Sequence, residues 1–202
     1  MTKLESNLYS IAFLTTHLKL SIYTIDEAIK NNELLSLVKF PEEFIQKIGF
    51  RKSVIALVSQ YSLIQFCSFL DEYKKFNPNH IEKDYSERIL KVRDRNKYGI
   101  QRINQWKGLY EYRNQIAAHN FDIKKESILR KKELTTYNIP DTFQEKFLFY
   151  KISEKICQNI FEEFTEIRDN INLDFNLDKK LNIVKNSNFN LTEELELIKK
   201  NM

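Results

Sequence analysis

Glycine and proline are scarce, with 3 of each in 202 residues. A β-rich fold of this length needs turn punctuation at its strand ends, so the scarcity argues for long helices. Cysteine is scarcer still. Cys67 and Cys157 are the only two, without Cys-x-x-Cys spacing, which removes a disulfide scaffold and a thiolate metal site. Both are read as reduced core residues of a cytoplasmic protein. The three histidines, His17, His80 and His119, stand far apart, and no second ligand lies at metal spacing. Neither a metal nor any other cofactor is expected. There is no Gly-rich phosphate loop, no HExxH helix and no nucleophile-elbow serine. The N-terminus lacks a signal-peptide core, and no apolar run approaches the ~18 residues of a membrane span, so no membrane partner is expected.

Hydrophobic residues make up 42% of the chain and charged residues 30%, enough for a core and a soluble surface. The length favours one domain, 1–202, with residues 171–202 as an Asn- and Lys-rich C-terminal extension carrying a short amphipathic helix over 191–200. The predicted fold class is all-α, an up-and-down bundle of four to six helices. Leu8, Ile11, Ala12, Leu14, Leu18 and Leu20, continued by Ile25 and Ile29, predict a helix over 4–30. His17 within it reads as a surface or core-edge residue, not a ligand. Pro41, Glu42 and Glu43 suit a helix start. From Arg51 to Asn77, two offset stripes predict a central helix apolar on two sides: Val54, Leu57, Val58, Tyr61, Ile64, Cys67 and Leu70, and Leu63, Phe66, Phe69 and Tyr73. Asp71 and Glu72 near its end read as solvated charge, although they are placed to approach Arg113. His80 lies in a loop and is assigned no role. A helix capped by Asp84 or Ser86 runs towards Trp106, with Gly99 and Gly108 as kinks before the segment that carries Arg113. Pro140-Asp141 opens a last long helix to about Asn170, with Phe143, Phe147, Leu148, Ile152, Ile156, Ile160, Phe161, Phe164 and Ile167 towards the core.

The whole chain carries a net charge of +4, but its basic residues are concentrated. Between Arg88 and Arg113 stand eight cations and two carboxylates, interleaved with Tyr98, Trp106, Tyr110 and Tyr112. Cations track phosphates and aromatic faces stack on bases, so Arg95, Lys97, Arg102, Lys107, Tyr110 and Tyr112 are candidate contacts for single-stranded RNA. The competing reading is a solvated helix face over a core of Ile100, Ile103 and Trp106. Asn120-Phe121-Asp122 reads as a turn with Asp122 as an N-cap. Lys124, Lys125, Arg130, Lys131 and Lys132 form a second basic patch, suited to a mobile flap.

One polar constellation interrupts the helical pattern: Tyr110-Glu111-Tyr112-Arg113-Asn114-Gln115-Ile116-Ala117-Ala118-His119-Asn120. Arg113 offers a permanent charge and a planar fork of donors for phosphate oxygens. An imidazole such as that of His119 can give or take a proton near neutral pH, and Asn114 can orient either group. A phosphodiester attacked by its own 2'-hydroxyl needs a proton acceptor, a proton donor and a cation on the developing charge, so the set suffices in type without a metal. On a straight α-helix the six steps from Arg113 to His119 rise ~9 Å and turn ~600°, leaving the two about 120° apart. The helix therefore ends before His119, or Arg113 reaches across, or a second subunit supplies the counterpart. The structural alternative is that His119 caps a carbonyl or faces solvent while Arg113 pairs with a carboxylate such as Glu111.

Arg113 and Asn114, followed after five residues by His119, resemble the signature of the HEPN superfamily (higher eukaryotes and prokaryotes nucleotide-binding domains), in its ribonuclease-toxin and abortive-infection branch. The resemblance covers about a dozen residues and a helical bundle of suitable size. It implies a homodimeric, metal-independent endoribonuclease, a hydrolase-type toxin or phage-defence effector. RNA would be the substrate, and an antitoxin or neighbouring defence protein a partner. Arg113, Asn114 and His119 would be the catalytic set, with Tyr112 positioning RNA. The alternative is a non-catalytic helical module that binds a nucleotide, RNA or a partner protein.

Overall fold

The computed structural model describes residues 1–30, 50–114 and 137–174, with the backbone alone at 50–53 and 171–174. Among them there is no strand. Seven α-helices appear: α1 (Lys3–Lys30), α2 (Phe50–Lys75), α3 (Ser86–Arg95), α4 (Lys97–Ile103), α5 (Leu109–Tyr112), α6 (Phe143–Glu163) and α7 (Thr165–Asp174). The protein is all-α. Helices exceed the expected four to six because two predicted long helices are broken. One is interrupted at Asn96 and over 104–108, the other at Phe164, whose φ of −116° and ψ of 56° leave the helical region. Residues 31–49, 115–136 and 175–202 lie outside the described set. With them lie the expected helix start at Pro41, the turn at Asp122, the lysine-rich patch and the helix over 191–200. The chain divides into two compact units, Met1–Arg168 and Asp169–Met202.

Two of the long helices, α1 and α6, begin on side-chain caps. Thr2 Oγ1 accepts from Glu5 N at 3.1 Å while Thr2 N donates to Glu5 Oε2 at 2.7 Å. Thr142 and Glu145 make the same reciprocal pair at the start of α6, so the cap is Thr142, two residues beyond Pro140. Neither Asp84 nor Ser86 caps α3 through its side chain. Its N-cap is Tyr85, which closes a 3-10 turn over Lys83–Tyr85. At the other end of α2, Arg93 donates to Tyr73 O and Phe76 O, satisfying carbonyls the helix leaves open.

α1 packs along α2 and against α6, which also meets α2, α3 and α4. An aromatic core holds these together: the Phe149 ring centroid lies 3.9 Å from that of Phe66 and 5.8 Å from that of Trp106. Both cysteines are buried and free. Several residues assigned to the core are exposed instead: Leu20, Ile29, Leu57, Tyr61, Phe147 and Leu148. On α6 the buried face is set by Phe149, Tyr150, Ser153, Ile156 and Ile160, one step round from the expected stripe. Only the C-terminal half of α2 is enclosed on two sides, where Leu63, Phe66, Cys67, Phe69, Leu70 and Tyr73 are all buried. Val54–Lys75 is long and apolar enough to cross a membrane by length and composition. This corrects the expectation that no stretch approaches that length: serines and glutamines break up its apolar runs but carry no charge.

The two glycines among the described residues, Gly99 and Gly108, act by close approach. A Cβ on Gly99, inside α4, would lie 2.9 Å from Ile152 Cγ2, so the expected kink there is absent and the residue lets α4 settle on α6. A Cβ on Gly108 would lie 2.8 Å from the backbone N of Asn138. Gly108 N donates to Asn138 O at 2.9 Å, which ties the start of α5 to residues 137–139.

Candidate functional site

The last turns of α2 present Cys67, Asp71 and Lys74 at i, i+4 and i+7, one helical face. The short helix α5 packs on that face, where Cys67 Sγ–H donates to Leu109 O at 3.5 Å. After Tyr112 the backbone widens into a π turn at Arg113 and Asn114. The Arg113 side chain reaches back to α2. Its Nη1 meets Asp71 Oδ2 at 2.7 Å, and its Nε donates to Asn114 Oδ1 at 3.3 Å. Tyr110 Oη donates to Asp71 Oδ1 at 2.9 Å, and Lys74 Nζ donates to Tyr110 Oη at 2.7 Å. Lys74 and Arg113 both lie over the Tyr110 ring, 4.1 and 5.0 Å from its centroid.

The electrostatics follow from these contacts. Partial burial works to raise the Asp71 pKa, but hydrogen bonds from Arg113 and Tyr110, with the charges of Arg113 and Lys74, outweigh it and hold the carboxyl below its ordinary value. The Arg113 pKa is raised, first by its hydrogen bond to Asp71. Burial and the bond to Asp71 raise Tyr110 and keep its hydroxyl protonated. Burial pushes the Cys67 thiol up to about 11, which leaves it neutral beside the cluster. Asp71 also lines a groove of about 660 Å³ between α1 and α2, with Tyr9, Phe13 and Leu14 on the opposite wall.

Arg113, Asn114 and Tyr110 are therefore brought together, and His119 lies outside the described residues. Asp71, read from sequence as solvated charge, is the ion-pair partner of Arg113, with Lys74 the second residue that reading missed. The signal for Asp71 was its position: it is the first charge after Lys52, at the end of an otherwise uncharged stretch of helix. Tyr112, expected to position RNA, is buried with its ring 6.0 Å from that of Tyr137, a core role that corrects the expectation.

The other candidate contacts are dispersed. Arg95 pairs with Glu162 at 3.2 Å and Glu163 at 3.9 Å. The Arg102 guanidinium lies 4.3 Å from the Trp106 ring centroid. Lys97 and Lys107 are exposed. Arg88 binds Glu166 at 2.8 Å, and Lys91 binds Glu163 at 2.8 Å. Arg88, Lys91 and Arg95 of the basic run thus face acids on α6 and α7, their counter-charge within the fold. His17 bonds Tyr61 Oη through Nδ1 at 2.9 Å, a core-edge pairing. Among the described residues no three His, Cys, Asp or Glu side chains gather as metal ligands. Comparison with known protein families, with curated proteins and with solved structures yields no match.

Proposed function

We propose that this chain is a metal-independent endoribonuclease of the HEPN kind, acting as a cytoplasmic homodimer in toxin–antitoxin or phage defence. One observation supports the reading most: the motif arginine, Arg113, is held in place by Asp71 and Asn114 yet stays about a third exposed. A fixed, part-open guanidinium suits a phosphate that gathers charge during reaction. In the proposed cleavage a base removes the 2'-hydroxyl proton and the 2'-oxygen attacks phosphorus. The 5'-oxygen then leaves with a proton, and a 2',3'-cyclic phosphate remains. His119 serves as base or acid, Arg113 stabilises the phosphorane, Asn114 orients it, and Asp71 positions Arg113. A two-fold axis would supply a second His and Arg, one group for each proton transfer.

The second reading, a non-catalytic module, is favoured by the acids on α6 and α7 that face Arg88, Lys91 and Arg95. One experiment separates the two. Purified protein is incubated with RNA and with 2'-deoxy oligonucleotides, with and without EDTA. Cleavage of RNA alone, unaffected by EDTA and ending in cyclic phosphate, is expected. His119→Ala or Arg113→Ala should lower it by about 10²–10⁴. Light scattering should give a mass near twice 24.3 kDa. Binding of RNA without cleavage in every form would transfer the case to the module.

A further inference from the structure

A second cavity, of about 620 Å³, lies where the α3–α4 junction meets α6. It shares no residue with the Arg113 cluster. Its floor is apolar, made by Gly99, Ile152 and Ile156, and a Cβ on Gly99 would close it against Ile152. Three cations line it, Arg95, Lys151 and Lys155, against the single carboxylate of Glu162. Tyr98 lines it too, with 83% of its surface exposed. A large aromatic residue so open to water has a ring face to offer.

The polar end is built rather than superficial. Asn96 and Asn159 are buried, and Asn159 Nδ2 donates to Asn96 Oδ1 at 2.7 Å. Asn96 Nδ2 makes no hydrogen bond of good geometry, although its amide lies close enough to Tyr73 to ease the rise that burial imposes on that phenol. The ion pairs on Glu162 are loose. Arg95 and Lys155 share Glu162 at 3.2 and 4.0 Å, Glu162 is itself well exposed, and Lys151 is held by Glu154. A phosphate dianion competes well with the exposed Glu162 carboxylate for Arg95 and Lys155.

We infer that this cavity is a nucleoside phosphate site, with the base on the Tyr98 ring and the apolar floor and the phosphate among Arg95, Lys151 and Lys155. The site does not depend on cleavage at Arg113. Two sources share the chemistry, a free mononucleotide and the phosphorylated 5' end of an RNA.

The test is calorimetric titration of the full-length protein with AMP, adenosine, inorganic phosphate, and a short RNA with a 5'-phosphate or a 5'-hydroxyl. AMP should bind more tightly than adenosine or phosphate alone. Tyr98→Ala should weaken it at least about fivefold. Lys151→Glu and Lys155→Glu should each weaken it by a similar factor, and Glu162→Gln should tighten it. All four side chains face solvent, and circular dichroism confirms that each variant folds. Preference for the 5'-phosphorylated RNA assigns the site to RNA ends. Binding of AMP without that preference assigns it to free nucleotides. The inference is overturned if AMP binds no better than inorganic phosphate, or if its affinity is indifferent to all four substitutions. Because no readout is cleavage, a protein that cuts no RNA can still bind here, and one that cuts RNA can still fail here.

Discussion

Replacing Asp71 by asparagine separates what this carboxylate does for stability from what it does to Arg113. The Arg113–Asp71 contact is short, 2.7 Å, but the two side chains are 31% and 38% exposed. Pairs at that exposure contribute about 0.2–1 kcal/mol. The Tyr110 hydrogen bond to the same carboxylate adds about 0.5–1.5 kcal/mol, part of which an asparagine oxygen retains. Asp71→Asn should therefore cost about 1 kcal/mol and lower Tm by about 2–4 °C in a chain of this size. A double-mutant cycle with Arg113→Gln should return a coupling of about 0.5–1 kcal/mol at pH 7. The pH dependence has a definite sign. The folded carboxyl titrates below its ordinary value, so its contribution is complete above about pH 4, the unfolded pKa, and is lost as pH falls through the lower folded one. The gap between wild type and variant should close in acid. Because Asp71 positions Arg113 in the proposed site, the same substitution should lower RNA cleavage by about tenfold or more, a larger effect than the stability change alone produces. Coupling near zero would refute the ion pair. RNA cleavage left unchanged by the substitution would refute the positioning role of Asp71.

Other consequences are as direct. Phe149→Ala removes a fully buried ring stacked on Phe66 and Trp106 and should cost about 3–5 kcal/mol in urea denaturation. Gly108→Ala should lower Tm more than Gly99→Ala: the new methyl meets the Asn138 backbone in one case and the Cγ2 methyl of the Ile152 side chain in the other. Thr142→Ala breaks the cap of α6 and should cost about 1 kcal/mol by the same denaturation.

Long-range periodicity made α1 and the core half of α2 legible, since Leu8, Ile11, Leu18 and Phe66 recur with the helical repeat whatever surrounds them. Exposure was harder to read. Leu57, Phe147 and Leu148 are as apolar as their buried neighbours, and only the position of the packing helix decides which side is enclosed. The helix breaks at Asn96 and Phe164 carry no glycine or proline signal. Thr142-x-x-Glu145 did carry the signature of a cap, overshadowed by Pro140. The Arg113 site was half legible. Its own residues form a local motif, but its carboxylate comes from Asp71, 42 positions away. The nearer candidate, Glu111, is two residues off, a spacing that does not face its neighbour on a helix.

The Asn96–Asn159 bond has a meaning apart from any ligand. Apolar helices slide past one another at little cost, because one leucine contact resembles the next. A buried amide pair is met in one alignment only: a turn of slippage by α6 would strand both amides in an apolar interior. The bond thus acts as an indexing pin, setting where along α6 the α3–α4 corner comes to rest. Substituting leucine at both positions would raise stability at the risk of several alignments where there is now one.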